Sequence, residues 1–257
     1  MIRMLYWFYE LQLRRDIERR PLPHHVGIIL DGNRRFAHER GYEDPGRVYK
    51  LGADKLDDVL SWCIELGIPT VTLWVLSIDN MRRSQDEVAA ILAAVEQKIA
   101  SLSDAPATHQ RGIAIRAVGR LDLLPPETVR ILREAGQRTA ANDALTVIIA
   151  IAYGGREEIV DAVRSYIRAE LGRGTDVDKA LEAMNPASLD RHLYTAGLPD
   201  PDLIIRTSGE FRLSGFLLWQ SARSEFYFSD VNWPEFRKID FLRAIRAYQG
   251  RQRRFGQ

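Results

Sequence analysis

The chain has 257 residues, with 36 Lys and Arg against 35 Asp and Glu, a formal net charge of +1 and one cysteine. This length can bury the core of one large domain or two small ones, and the balanced charge gives no overall basic field for nucleic acid. The single cysteine, Cys63, excludes an intramolecular disulfide framework and a cysteine-based zinc cluster. We therefore expect a cytoplasmic protein with no nucleic-acid partner and with Cys63 buried among apolar side chains.

The amino-terminal segment combines aromatic residues 4–9 with a charged stretch at residues 14–20. No apolar run approaches the roughly 18 residues that a membrane-spanning helix needs. We predict a helical extension over residues 1–22, followed by one domain over residues 23–257. Packing of the aromatic face on the domain is favoured, and peripheral contact with a membrane surface is the alternative.

Apolar runs and helical patterns alternate along the rest of the chain. Six short apolar runs predict strands at residues 26–30, 70–76, 113–118, 145–152, 202–206 and 225–228. Helical patterns cover residues 50–66, 84–101, 125–135, 156–171 and 240–249. Because the strands are apolar throughout, we predict a single α/β domain with a mostly parallel central sheet of about six strands, flanked by helices.

The first predicted strand ends in a group of residues that favours anion binding. Gly32 follows it in a tight turn before a helix start, and Arg34 and Arg35 add two cations. Asp31 among these groups indicates Mg²⁺ bridging a carboxylate to phosphate oxygens. The alternative is that Asp31 caps the helix while the arginines are solvated.

Polar groups also follow two later strands, where α/β sheets place their sites. These groups are Ser77, Asp79, Asn80 and Arg83 after the second strand, and Arg206, Arg212 and Ser214 after the fifth. The fingerprints of Rossmann dinucleotide binding and of the P-loop are both absent from the sequence. Two anion sites beside apolar strands fit a hydrocarbon diphosphate.

Five motifs that follow one another along the chain are specific enough to indicate a protein family. They comprise residues 29–37, 76–83, 152–160, 200–214 and 216–225, and the tail at residues 251–256 adds a further match. Together they resemble the cis-prenyltransferases, the undecaprenyl diphosphate synthase family. The resemblance implies Mg²⁺ as cofactor, isopentenyl diphosphate and an allylic diphosphate as substrates, and a homodimer in which the tail arginines approach the neighbouring site.

The resemblance also assigns roles to residues of this chain. Asp31 would hold the metal and assist departure of the allylic diphosphate, Asn80 would lie at the position of proton abstraction, and Glu225 would complete a metal-linked site. The residues implied to bind substrate are Gly32, Asn33, Arg34, Arg35, Phe36, Ser77, Ile78, Asp79, Met81, Arg83, Arg206, Arg212, Leu213 and Ser214.

Several positions depart from the family pattern. Arg34 replaces a glycine, Phe36 and Met81 each replace a tryptophan, and Phe211 replaces a histidine. The segment between Gly41 and Gly52 is one residue longer than the family pattern, with Arg47 as a stand-in for an arginine and Tyr49 where a histidine falls.

With these departures, the chain resembles the short-chain branch of the family, the actinobacterial (2Z,6E)-farnesyl diphosphate synthases. Val75, where long-chain relatives have alanine, is predicted to limit product length, although it also fits as an ordinary strand residue. We expect a C15 product from geranyl diphosphate and isopentenyl diphosphate. The alternatives are a long-chain polyprenyl diphosphate synthase, irregular coupling of dimethylallyl units and, ranked lowest, a non-catalytic partner subunit.

Overall fold

The computed structural model describes residues 2–17 and 20–251 of the chain. All six predicted strands are present, and their ends differ from the predicted ends by at most one residue. They are β1 (His25–Ile29), β2 (Thr70–Ser77), β3 (Ile113–Val118), β4 (Leu145–Tyr153), β5 (Leu203–Arg206) and β6 (Glu225–Phe228).

The strands form one sheet in the order β3-β4-β2-β1-β5-β6, and each neighbouring pair is parallel. The prediction of a single α/β domain with a parallel sheet is therefore confirmed. In this register Ile29 of β1 lies opposite Trp74 of β2 on one side and Arg206 of β5 on the other. The carboxyl ends of β1, β2 and β5 consequently open at one place on the sheet edge.

Helices connect the strands and flank the sheet. They are α1 (Ile2–Ile17), α2 (Asn33–Arg40), α3 (Pro45–Leu66), α4 (Gln85–Asp104), α5 (Pro106–Gln110), α6 (Pro126–Arg138), α7 (Gly155–Gly172), α8 (Val177–Ala183), α9 (Pro186–Asp190) and α10 (Lys238–Gly250). Helix α3 begins before the predicted residue 50, because Asp44 accepts a hydrogen bond from the Gly46 N–H and Pro45 occupies the first turn. Ser84 caps α4, as predicted, by accepting from the Glu87 N–H.

Alternate residues of each strand enter two separate apolar clusters. Leu73 and Ile149 belong to the larger cluster, which also contains residues of α3, α4 and α10, whereas Trp74 and Ile148 belong to the smaller one with Phe216. This division is what a parallel sheet covered on both faces requires. Cys63 lies in the larger cluster with no exposed surface, as predicted.

Helix α1 packs on the body of the protein. Leu13 and Ile17 are completely buried, and the guanidinium groups of Arg237 and Arg243 lie over the rings of Tyr6 and Tyr9. The helix thus packs on the domain, but mainly through Leu13 and Ile17, whereas Tyr6 and Phe8 of the aromatic stretch are 45% and 57% exposed. Within the described part of the chain, no helix has the length and apolar character needed to cross a membrane.

Candidate active site

A cavity of about 540 Å³ opens where β1, β2 and β5 end. This volume is in the range of small-molecule sites, and its position is the one that open α/β sheets favour. Its mouth is polar and its interior is apolar. The interior is lined by Leu56, Leu73, Val75, Ile91, Val95, Ile99 and Ile149, among others.

The turn between β1 and α2 forms one side of the mouth. Gly32 has φ of +101°, and a Cβ atom there would lie 2.4 Å from Oδ1 of Asn232, so only glycine fits. The Gly32 N–H donates to Oδ1 of Asp31 over 2.8 Å, and Thr207 Oγ1 accepts from the Asp31 N–H over 2.9 Å. These bonds fix the Asp31 carboxylate at the end of β1.

Arg206, the last residue of β5, forms an ion pair with Asp31. Its Nη2 lies 2.7 Å from Oδ2 of Asp31, and its Nη1 donates to Ser214 Oγ over 2.9 Å and to the carbonyl oxygen of Arg212. Arg206 is only 5% exposed, and its buried Nε has no protein partner. A buried guanidinium N–H without an acceptor marks a place where an anion or water completes the site.

Two further arginines share one carboxylate beside this pair. Arg35 donates to Glu210 over 3.0 Å and to the carbonyl oxygen of Ser208, and Arg212 also pairs with Glu210. The hydrogen bonds from Arg35 and Arg212 hold the pKa of Glu210 below its usual value. The two guanidinium groups are partly exposed at the mouth of the cavity.

A third polar group lies across the mouth, between α3 and α4. Glu87 accepts from Tyr49 Oη at 2.6 Å and from Arg83 Nη1 at 2.9 Å, and Nε of Arg34 lies 3.9 Å away. Burial and the Glu87 carboxylate raise the pKa of Tyr49, so its hydroxyl remains a hydrogen-bond donor. Tyr49 thus occupies the site where the family pattern has a histidine, but without the ability to become a cation.

The turn after β2 brings the remaining predicted residues to the cavity. Asp79 opens a short 3₁₀ turn, and the Asn80 N–H donates to Ser77 Oγ over 3.0 Å. All three residues line the cavity, as does Asn33, whose buried Oδ1 has no protein partner. The structure thus brings together Asp31, Gly32, Asn33, Arg34, Arg35, Val75, Ser77, Asp79, Asn80, Arg83, Arg206, Arg212 and Ser214.

Four residues that the resemblance assigns to substrate binding are not among those that line the cavity. Phe36 is buried and stacks on Tyr42, because α2 turns this side chain toward its own loop. Met81 packs against the larger apolar cluster and Leu213 against the smaller one. Ile78, the fourth, is half-buried beside Gly154.

Glu225 also lies away from Asp31 within the chain. It starts β6 level with Leu203, whereas Asp31 follows the far end of β1, so the parallel register places them at opposite ends of the sheet. Its carboxylate pairs with Arg251 over 2.6 Å. Among the described residues, no group of three or more His, Cys, Asp or Glu side chains could hold a metal. The metal role of Glu225 stays a prediction, and the tail arginines at 253 and 254 lie outside the described residues.

Two residues at or beside the mouth of the cavity are not predicted as site residues from the sequence. Glu87 stands out in the sequence only as part of a helix cap, although it joins Tyr49, Arg83 and Arg34. Ser208 has φ of +72° and a buried hydroxyl without a protein partner, and only its place in the loop after β5 indicates a role.

Comparison with known proteins gives a consistent result. The family model for undecaprenyl diphosphate synthases matches residues 29–256. An isoprenyl transferase of Thermus thermophilus is 50% identical over 99% of this chain and 96% of its own length. The (2Z,6E)-farnesyl diphosphate synthase of Thermobifida fusca is 49% identical over 98% of this chain and 97% of its own.

A solved structure has the same architecture. The lavandulyl diphosphate synthase from Lavandula x intermedia, in complex with dimethylallyl diphosphate, superposes with a TM-score of 0.83 at 35% identity. The match covers 92% of this chain and 99% of that one.

Proposed function

The chain belongs to the undecaprenyl diphosphate synthase family of isoprenyl transferases, and from this premise we propose that it joins isopentenyl diphosphate to geranyl diphosphate, giving (2Z,6E)-farnesyl diphosphate. One observation carries the proposal: a single apolar cavity has its mouth surrounded by separate groups of anion-binding side chains. Two diphosphates bound there would direct both hydrocarbon parts into the same interior. Such positioning removes much of the entropic cost of joining them.

The two diphosphates are assigned to different groups. The β1–α2 turn, with Arg34 and Arg35, takes the allylic diphosphate. Arg206, Arg212 and Ser214 take that of isopentenyl diphosphate, supported by the unpartnered Nε of Arg206. A guanidinium group can donate two parallel hydrogen bonds to the oxygens of one phosphate, which fixes the orientation of the phosphate as well as its position.

The donor set at the mouth fits Mg²⁺. This ion is commonly held by one or two carboxylates together with substrate phosphates and water, and Asp31 places one carboxylate beside the proposed allylic diphosphate. We propose that Asp31 holds it there. When bound, the ion would neutralise charge on the departing diphosphate.

We propose the following roles for the side chains in the condensation. The allylic C–O bond breaks with its electron pair leaving on the diphosphate, whose added charge Arg34 and Arg35 stabilise. The isopentenyl double bond supplies the electrons of the new C–C bond, and a proton then passes from the adjacent carbon to an oxygen of the released diphosphate. We propose that Asn80, whose N–H donates to Ser77 Oγ, lies beside that carbon when isopentenyl diphosphate is bound.

A C15 product is supported by the wall of the cavity. Each further isoprene unit gains roughly 3 to 4 kcal/mol by burial, at about 0.8 kcal/mol per CH₂, so binding energy alone favours continued growth. Only a steric limit can stop it. Val75 lies on this wall between Trp74 and Leu76, and the Thermobifida relative bears the name of a short-chain synthase.

Irregular coupling of two dimethylallyl units is the second candidate. The lavandulyl diphosphate synthase structure contains dimethylallyl diphosphate and superposes closely on this chain. Tyr49 and the exposed Phe211 mark departures from the usual family pattern near the site.

A product assay separates these functions. The protein would receive Mg²⁺ and labelled isopentenyl diphosphate with dimethylallyl, geranyl or (E,E)-farnesyl diphosphate, and also dimethylallyl diphosphate alone. We expect a C15 alcohol from geranyl diphosphate after dephosphorylation. A ladder reaching C50 would contradict the short-chain assignment, and a branched C10 product from dimethylallyl diphosphate alone would establish irregular coupling.

We also propose that the protein is a homodimer, as the family resemblance implies. Strand β6 lies at the edge of the sheet and carries Phe226 and Phe228, with the 76% exposed Phe211 packed on Phe228. Light scattering on the purified protein should give twice the mass of 29.3 kDa, and a monomer at micromolar concentration would contradict the proposal.

A further inference from the structure

The cavity is lined along one side by α3 and α4, two helices that both begin near its mouth. The hydrogen bond from Tyr49 to Glu87 joins the amino-terminal parts of the two helices. Further from the mouth, Ala53 and Leu56 line the cavity from α3, and the lining face of α4 comprises Ile91, Ala94, Val95, Lys98 and Ile99. The seam between these two helices is therefore one wall of the cavity.

Lys98 is the charged member of this otherwise apolar helix face. Its position, three or four residues after Val95 and Ala94, places its aliphatic stem on the cavity wall. The side chain is 12% exposed, and its Nζ reaches across the seam to Asp57 of α3 at 2.5 Å and to Asp54 at 3.8 Å. Lys98 thus ties α4 to α3 at the deep end of the cavity.

The depth of this tie corresponds to a particular chain length. Lys98 lies eleven residues beyond Glu87 on α4, which is about 16 Å at 1.5 Å per residue, and its partner Asp57 lies eight residues beyond Tyr49 on α3, which is about 12 Å. An extended chain advances about 1.2 Å per bond, as the peptide spacing shows, so the main chain of a farnesyl group spans about 13 Å and one further isoprene unit adds about 5 Å. A C15 chain therefore ends between these two depths, and a C20 chain of about 18 Å extends past both.

We propose that Lys98, tied to Asp57 and Asp54, closes the deep end of the cavity and sets the product length together with Val75. The inference rests on the proposed function, because it concerns where a growing prenyl chain stops. A longer chain would have to separate α3 from α4 and place hydrocarbon against a paired ammonium group, which is unfavourable. Lys98 acts on product length, and not on the bond-forming step.

The test compares product lengths made from geranyl diphosphate and excess isopentenyl diphosphate. Lys98→Ala removes the stem and the ion pairs, and we expect products of C20 and longer to become the majority. Lys98→Met keeps the stem and removes only the charge, so we expect a mixture of C15 with longer products. Lys55→Ala is the matched control, because Lys55 pairs with Asp58 on α3 and does not line the cavity. It should retain the C15 product.

The outcomes separate this inference from the proposed function. A wild-type protein that makes no C15 product contradicts the proposed function before any variant is compared. A wild-type C15 product with an unchanged C15 product from folded Lys98→Ala overturns only the role of Lys98. If Lys98→Ala fails to fold, the double variant Asp54→Asn with Asp57→Asn replaces it, since both side chains are 60% exposed. An unchanged product from that variant overturns the role of the ion pairs, and longer products support it.

Discussion

Asp31 illustrates how a single residue combines structural and chemical roles. Its carboxylate accepts from the Gly32 N–H and pairs with the buried Arg206, so it joins the ends of β1 and β5. Its side chain is still 37% exposed toward the cavity, where a metal and a diphosphate would bind. The same carboxylate thus fixes the geometry of the mouth and would hold the proposed Mg²⁺.

Replacing Asp31 with alanine should remove turnover while preserving the fold. We expect kcat to fall by roughly a thousandfold or more, the size of effect seen when a group that stabilises transition-state charge is lost. Steady-state assays with circular dichroism would measure both properties. Asp31→Asn keeps an acceptor for Arg206 and should be equally inactive, and Asp122→Ala, on an exposed carboxylate paired with Arg120, is the control. Near-normal turnover of Asp31→Ala would contradict the mechanism.

Val75 supports a prediction about product length at the level of one side chain. Val75→Ala removes two methyl groups from the apolar wall of the cavity, so products longer than C15 should appear beside C15, with the first condensation little changed. Chromatography of the dephosphorylated alcohols measures the distribution. A folded, active variant that still stops at C15 would show that Val75 is an ordinary strand residue.

At the scale of elements, buried polar contacts fix how the strands begin. His25, the first residue of β1, is 1% exposed, with Nδ1 at 2.7 Å from the Pro199 carbonyl oxygen and Nε2 at 2.7 Å from Thr72 Oγ1. These contacts tie β1 to β2 and to the segment before β5. The imidazole is held there in its neutral form, because burial lowers its pKa from 6.5 to about 4.

This shift makes stability depend on pH. The unfolded chain binds a proton near pH 6.5 and the folded chain only near pH 4, so the contribution of His25 is fully present above pH 6.5 and is lost as pH falls toward 4. At 1.36 kcal/mol per pKa unit, the loss is about 3 kcal/mol. Urea unfolding of wild type and His25→Gln at pH 7 and pH 4.5 should show a smaller loss in the variant. Equal losses would place the acid sensitivity elsewhere.

The elements differ in how well the sequence predicts them. Strands β1 to β6 are predictable because each is a short apolar run, and α4 because Ser84 caps it. The segment between α7 and β5 carries two short helices, α8 and α9, whose sequences lack a long apolar repeat. Local pattern also cannot give strand order or register, and register is what separates Glu225 from Asp31.

In the candidate site, too, some features can be predicted from local sequence and others depend on packing. Asp31, Asn80 and Arg206 follow separate strands, and parallel strands bring their carboxyl ends to one edge, so the sequence predicts that they meet. The tie from Lys98 to α3 depends on how two helices pack, which no local pattern encodes. The orientation of Phe36 likewise depends on its stacking with Tyr42.

At the scale of the whole molecule, α1 joins the amino-terminal segment to the core. Lys238 of α10 lies 3.1 Å from Glu10 of α1 and 2.7 Å from Glu65 of α3, so one cation links three helices. Beneath this polar seam, Leu13 and Ile17 are completely buried. The segment is therefore part of the folded domain, although it precedes the residues that the family model matches.

Truncating a buried side chain of α1 should therefore destabilise the entire protein. Leu13→Ala removes a completely buried side chain, and we expect a loss of about 2 to 5 kcal/mol in the free energy of unfolding, as for other buried leucines. Leu171→Ala on α7 makes the same change where the side chain is 46% exposed, and should cost much less. Both are measured by urea unfolding followed by circular dichroism. If α1 served mainly as a membrane contact, Leu13→Ala and Leu171→Ala would unfold alike without lipid. Leu13→Ala would then differ from wild type only in its binding to anionic vesicles. A larger loss of stability for Leu13→Ala in lipid-free buffer follows only if the helix is packed on the domain in solution.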